Sequence, residues 1–195
     1  MRSSITITIL TKAVFLFLLT TGTLYSQNYK MQSSSEIIIE GTSNIHDWEM
    51  TADSKQGGAV IESENGELTA IKSLKVTVVA ESLKSGKGGM DKNTYKALKT
   101  DAHKNIEFTL GEVKKMENNA NNICMIDATG TLKIAGVSKQ IPITFTAKIN
   151  GNNLEITGEK LINMTNFNVD PPTAMMGTIK TGEEITIKFK TTFTK

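Results

Sequence analysis

The sequence predicts an all-β fold, an antiparallel eight-stranded β-barrel with one short helix. Three observations predict it. Apolar and polar residues alternate with period 2 over most of the chain, the pattern of a strand with one buried and one wet face. Hairpin dipeptides such as Asn65-Gly66 and Asn150-Gly151 fall between the alternating runs. Eight or nine such runs share the ~169 residues after position 26 with a single helical stretch, and closure into a barrel would remove their unpaired edges. A β-sandwich is the alternative built from the same strands.

Taken in order, residues 1–26 are read as a secretory signal outside the barrel. Arg2 and Lys12 carry positive charge, and no acid precedes Glu36. Ala13 to Leu19 is an apolar run of signal length, short of the ~20 residues that span a bilayer. Cleavage is expected after Ser26, which leaves a domain of residues 27–195 that is periplasmic or secreted and has no membrane span. An uncleaved anchor is the competing reading. No Cys lies near residues 20–27, which excludes a lipid-anchored lipoprotein.

Strands are expected at about 35–40, 45–53, 57–63 and 67–81, with a candidate break near Lys72. In the last of these Val76, Val78 and Ala80 alternate with Thr77, Val79 and Glu81. Met90 to Lys99 reads as the helix, with Asp91 as N-cap and Tyr95 and Leu98 on one face. Ser85-Gly86-Lys87-Gly88-Gly89 before it is read as a flexible loop at the barrel mouth. Further strands are expected at 105–116, 123–134, 139–150, 153–162 and 178–193. Cys124, Ile126, Ala128, Gly130, Leu132 and Ile134 share one face; so do Ile141, Ile143, Phe145, Ala147 and Ile149. Asn118 to Asn122 and Ala135-Gly136-Val137-Ser138 close two hairpins. Asn163 to Gly177, with Pro171-Pro172 and Met175-Met176, is irregular. The small inward residues Ala128, Gly130, Ala147 and Gly158 hint at a cavity.

Composition excludes several functions. The chain has 22 basic and 20 acidic residues, and removing Arg2 and Lys12 with the signal leaves the two signs equal. Such a chain has no basic field for nucleic acid or anionic lipid, and Arg2 is its only arginine, the side chain best suited to phosphate and base edges. One Cys permits no intrachain disulfide, and with two His it makes a poor zinc set. No G-x-S-x-G or H-E-x-x-H motif is present. The Gly86 loop lacks the earlier Gly and the final Ser/Thr of a phosphate loop.

The segment Gly130-Thr131-Leu132-Lys133-Ile134-Ala135-Gly136-Val137-Ser138-Lys139-Gln140-Ile141 resembles the hairpin of the YceI-like family. Met90 to Leu98 with Asn105-Ile106-Glu107-Phe108 looks like that family's helix and following strand. Ser43 to Trp48 is similar to the start of the domain in some members, and Glu184 to Phe193 fits its closing strand. The likeness runs over roughly 34–193. It implies an exported bacterial protein with a lipocalin-like barrel holding a long apolar chain, a polyisoprenoid or quinone-like lipid, without catalytic residues. Many members carry a longer aromatic-rich segment where this chain has the compact His46-Asp47-Trp48.

The expected cavity wall is Trp48, Leu98, Phe108, Leu132, Ile134, Phe145, Phe167 and Phe189, chosen from facing and from the resembling segments. His46, taken to share a strand face with Trp48 and Met50, is a candidate for hydrogen bonding to a ligand head group; the alternative is that it bonds to backbone. His103 is placed in a solvated turn, and Cys124 is read as a small hydrophobe. No metal and no cofactor is expected beyond a non-covalently held isoprenoid lipid or quinone. The expected partner is that apolar lipid, and a homodimer is left open. Two rival functions stand beside the carrier: a ligand-free structural or adhesion module with a filled barrel, and a lipid-modifying enzyme using His46 as base.

Overall fold

The structure, a computed structural model, describes residues 26–195 except Ala120, so the expected signal segment lies almost wholly outside the described residues. In chain order the elements are β1 (Gln27–Met31), β2 (Glu36–Ser43), β3 (Trp48–Ala52), β4 (Lys55–Glu64), β5 (Glu67–Val79), β6 (Leu83–Lys84), α1 (Gly88–Ala97), β7 (Asn105–Asn118), β8 (Ile123–Ile134), β9 (Val137–Asn150), β10 (Asn153–Asn163), β11 (Thr173–Ala174) and β12 (Ile179–Thr194). Short 3-10 turns occupy Ala80–Ser82, Met164–Phe167 and Met175–Gly177.

The pairings close a ring of eight staves. β1 and β2 both lie along β12, at its two ends, so together they form one interrupted stave. β3 pairs β2 while β4 pairs β1, which makes β3 and β4 the second stave. β5 continues through the Ala80–Ser82 turn into β6, which pairs β3. The remaining staves are β7, β8, β9, β10 and β12. Each is antiparallel to its sequence neighbour, and β12 closes onto the first stave. Closure removes most strand edges, though β9 and β10 pair only over Phe145–Asn150 and Asn153–Gly158.

Serines knit the interruptions. Ser35 Oγ donates to Thr192 O (3.2 Å) and accepts from Thr192 N (3.0 Å), filling the gap between β1 and β2. Ser82 Oγ donates to Ser54 O (3.1 Å) and Val79 O (2.7 Å), bridging the breaks in the second and third staves. Buried Ser82 and Ser35 thus satisfy backbone groups that a continuous ladder would have paired. The candidate break near Lys72 is a bulge: Val60 faces Ser73 and Ile61 faces Ile71, which leaves Lys72 unopposed.

The β8–β9 turn shows how local sequence sets register. Ala135 (φ 47°) and Gly136 (φ 81°) form a two-residue turn between paired Ile134 and Val137, the twist that hairpins favour. The His103 ring lies over Gly136, where a Cβ would stand 2.5 Å from Cε1. His103 is therefore half-buried packing, not a solvated turn residue.

Several expectations need correction. β1 was not anticipated, because only Tyr29 and Met31 mark its buried face. The strand expected over 45–53 begins at Trp48; Ser43 Oγ accepts from Ile45 N (3.3 Å) and His46 N (3.1 Å), and this local turn competes with the ladder. Asp91 is not the N-cap. It stands inside the first turn of α1 and reaches back to Ser85, accepting from its N (2.9 Å) and Oγ (2.7 Å). That clasp gives the Ser85–Gly89 loop a defined shape.

Two buried apolar clusters divide the interior. One, around Tyr29, Ile61, Cys124, Ile126, Leu154 and Phe193, fills the end where β1 and β4 lie. The other, around Met50, Leu132, Ile134, Ile162 and Phe167, surrounds the opposite end. At ~1.5–3 kcal/mol for each fully buried large aliphatic or aromatic side chain, both clusters stabilise the barrel.

Candidate functional site

The barrel encloses a cavity of about 690 Å³, within the ~300–1,000 Å³ range of small-ligand sites. Its floor is formed by Phe145, Ile156 and Phe193; Cys124, Ile126 and Leu154 lie outside it in the packed end. Its walls are alternate residues of facing staves: Ile37 and Ile39 of β2, Val76 and Val78 of β5, Ile106 and Phe108 of β7, Leu132 and Ile134 of β8, and Ile185, Ile187 and Phe189 of β12.

The mouth is built from three segments. α1 supplies Met90, Asn93, Thr94 and Ala97, with Leu98 at its C-cap. The β2–β3 turn supplies Ile45, His46 and, at the start of β3, Trp48. The stretch between β10 and β12 crosses above, laying buried Met164, Phe167 and Val169 on the cavity. Asn163 caps the first turn of that stretch, its Oδ1 accepting from Thr165 N (2.8 Å) and Oγ1 (2.6 Å). Asn44 ties the rims together: its Nδ2 donates to Thr178 O (2.9 Å) and its Oδ1 accepts from Lys180 N (2.8 Å). Ile45 and Met175 line the rim yet remain 56% and 72% exposed.

The structure places all of Trp48, Leu98, Phe108, Leu132, Ile134, Phe145, Phe167 and Phe189 on the cavity. His46 also lines it, though from the turn and not from a strand face. Its Nδ1 stands 2.7 Å from Asp47 O. A carbonyl only accepts, so Nδ1 carries the hydrogen in the neutral ring and Nε2 is left as an acceptor. Both of the roles weighed for His46 are therefore compatible with one geometry: one nitrogen bonds backbone, the other is unused. Trp48 is half-buried; its Nε1 donates to Thr42 O (2.9 Å) and its ring fills the space above Gly41.

The small inward residues do not make the cavity. A Cβ at Gly130 would stand 2.4 Å from the Phe108 ring, and one at Gly158 would stand 2.7 Å from Phe189 Cζ. These glycines seat wall aromatics across the strand, while Ala128 and Ala147 belong to the packed end. The cavity comes from barrel width above the floor.

Sequence reasoning missed one residue of different chemistry. On β10, Leu154, Ile156, Lys160 and Ile162 share the inner face with Gly158, so Lys160 lines an otherwise apolar wall. The signal was present in the same period-2 alternation. Burial opposes the charge on Asp91, but the Ser85 hydrogen bonds outweigh it and hold the carboxyl below its ordinary value. Burial pushes the Cys124 thiol up. Among the described residues no cluster of His, Cys, Asp and Glu could hold a metal, and no helix is long and apolar enough to cross a membrane.

A closed antiparallel barrel with a packed end, an apolar interior cavity and a rimmed mouth defines a β-barrel of the small-ligand-binding class. The family model for the YceI-like domain matches residues 28–193, and the chain belongs to that family. The crystal structure of Burkholderia cenocepacia BcnA is similar at a TM-score of 0.65 and 16% identity, over 81% of this chain and 95% of that one. A polyisoprenoid-binding domain from Saccharophagus degradans, implicated in plant cell wall breakdown, is similar at 0.64 and 12%, over 87% and 99%. The Campylobacter jejuni YCEI protein follows at 0.52 and 21%, over 70% and 80%. No curated protein matches the chain.

Proposed function

We propose that this chain is an exported binding protein that sequesters a long apolar lipid, polyisoprenoid or quinone-like, inside its barrel. The observation that carries the reading is the cavity of about 690 Å³ walled by aliphatic and aromatic side chains. Its driving force is burial, about 0.8 kcal/mol per CH2 removed from water. The Saccharophagus degradans domain, described as polyisoprenoid-binding, shares the fold and supports the ligand class. An unfilled barrel counts against the ligand-free module. His46 fits a head-group role, since its Nδ1 bonds a backbone carbonyl and its Nε2 is left as an acceptor at the mouth.

Native mass spectrometry of the protein purified from producing cells tests the reading. The expected result is a non-covalent adduct with the mass of a prenyl or quinone-type lipid, lost on delipidation and regained with geranylgeraniol. A barrel that emerges empty and takes up no geranylgeraniol overturns it. Recovery of a chemically altered prenol, abolished in His46→Gln, would make the protein an enzyme.

A further inference from the structure

We propose that Lys160 is an anchor for an acidic head group, so that the ligand is an amphiphile whose phosphate or carboxylate is held inside the barrel. The inference rests on the lipid-binding reading above and goes beyond it, because burial alone calls for no charge. β10 alternates inward Leu154, Ile156, Gly158, Lys160 and Ile162, and across the ladder Lys160 faces Ile187 of β12, itself a wall residue. Lys160 is thus a cation on an apolar face, half-buried and lining the cavity.

Among the described residues its ammonium has no carboxylate partner. Five lysines pair with carboxylates among the described residues, and Lys160 is not one of them. Among the described residues every fully enclosed side-chain nitrogen or oxygen has a partner, so the Lys160 ammonium is not sealed in, and its residue lines the cavity. The charge balance of the lining points the same way. Lys87 and Lys92 also line it at the mouth, and no Asp or Glu does. In a chain with nearly equal numbers of the two signs, this cavity is lined by one sign only. A cation set among apolar side chains and lacking a protein carboxylate is well placed to take an oxyanion, since a charge-assisted hydrogen bond is the strong form of that contact.

Position fits an amphiphile. Lys160 lies three residues before the end of β10 at the mouth, about 10 Å of strand. An apolar tail can therefore run from Lys160 down to Phe145, Ile156 and Phe193 while the head stays near the mouth lysines.

The test compares three probes of one chain, geranylgeraniol, geranylgeranyl phosphate and geranylgeranoic acid, by calorimetric titration of wild type, Lys160→Met and Lys160→Arg. Wild type should bind one or both acids ~10- to 100-fold tighter than the alcohol. Whichever acid gains more identifies the head group. Lys160→Met should fold as stably as wild type, since an apolar chain replaces a charge on an apolar wall. It should lose most of the preference for acid over alcohol, while Lys160→Arg keeps that preference. Equal binding of alcohol and acids by wild type would overturn the anchor and leave lipid binding standing. A preference that survives Lys160→Met but falls in the Lys87→Met, Lys92→Met double variant would overturn the assignment to Lys160. Binding of none of the three would sink the lipid reading and the anchor together.

Discussion

At the residue scale the informative side chains are those whose surroundings decide between packing and function. Cys124 is fully buried beside the floor, and burial raises its thiol above the ordinary value. Only the thiolate attacks a disulfide reagent, so both effects suppress reaction. The native protein should be inert to 5,5′-dithiobis(2-nitrobenzoate), with one thiol appearing on unfolding; rapid native labelling would mean that the closed end is not packed. Gly41 offers a second test. A Cβ there would stand 2.2 Å from Trp48 Cζ2, so Gly41→Ala must displace the indole and break its 2.9 Å bond to Thr42 O. Trp48 is the only tryptophan, which makes its emission a direct report on the mouth. Emission should shift to the red, with a stability cost of about 1–3 kcal/mol as for other overpacked sites. Unchanged emission would show that the ring does not occupy the seat described.

At the scale of elements, α1 depends on the clasp between Asp91 and Ser85. The Asp91 carboxyl is held below its ordinary value because the Ser85 hydrogen bonds outweigh the burial that opposes its charge. For a carboxylate whose folded pKa is depressed, the stabilisation is fully present above the unfolded pKa, about 3.9, and is lost as pH falls through the folded value. Asp91→Ala should therefore lower unfolding stability by a constant amount at pH 6–8, and the gap to wild type should close below about pH 4. Denaturant unfolding at a series of pH values reads this, and a gap that persists at pH 2 would assign the loss to packing instead. The elements also show what was legible in the sequence. The long staves β7 to β10 and β12 follow from alternation and hairpin dipeptides, because their contacts repeat every second residue. The eight wall residues follow from the same facing together with the family resemblance. The breaks at Ser35, Ser54 and Ser82 do not, since each is stitched by groups distant in sequence, as Ser35 is by Thr192. Nor does the seating of Phe108 on Gly130, which depends on register between strands. Lys160 is legible by period, since it falls on the inward face of β10, although its residue type is the opposite of what that face predicts.

At the scale of the whole molecule, one end of the barrel is solid and the other hollow, and ligand size should follow from that division. The proposed export makes its own prediction: if the apolar run before Ser26 is a signal, the mature chain begins at or near Gln27, the first residue of β1, and the intact mass of the protein from producing cells checks it. A full-length mass would indicate a retained anchor. The hollow end then acts as a ruler. The packed cluster beneath Phe145, Ile156 and Phe193 fixes where an entering chain must stop, and the cavity above it holds about 690 Å³. While carbons are still entering, each should contribute about 0.8 kcal/mol, so one more isoprene unit should tighten binding by at least about tenfold. Once the cavity is full, further units remain in water at the mouth and add little. Geraniol, farnesol, geranylgeraniol and longer prenols, titrated against Trp48 emission, should thus show affinity rising steeply and then levelling. Affinity that is flat from geraniol upward would place the chain on the outer surface, and a rise without a plateau would mean that the packed end opens to admit it.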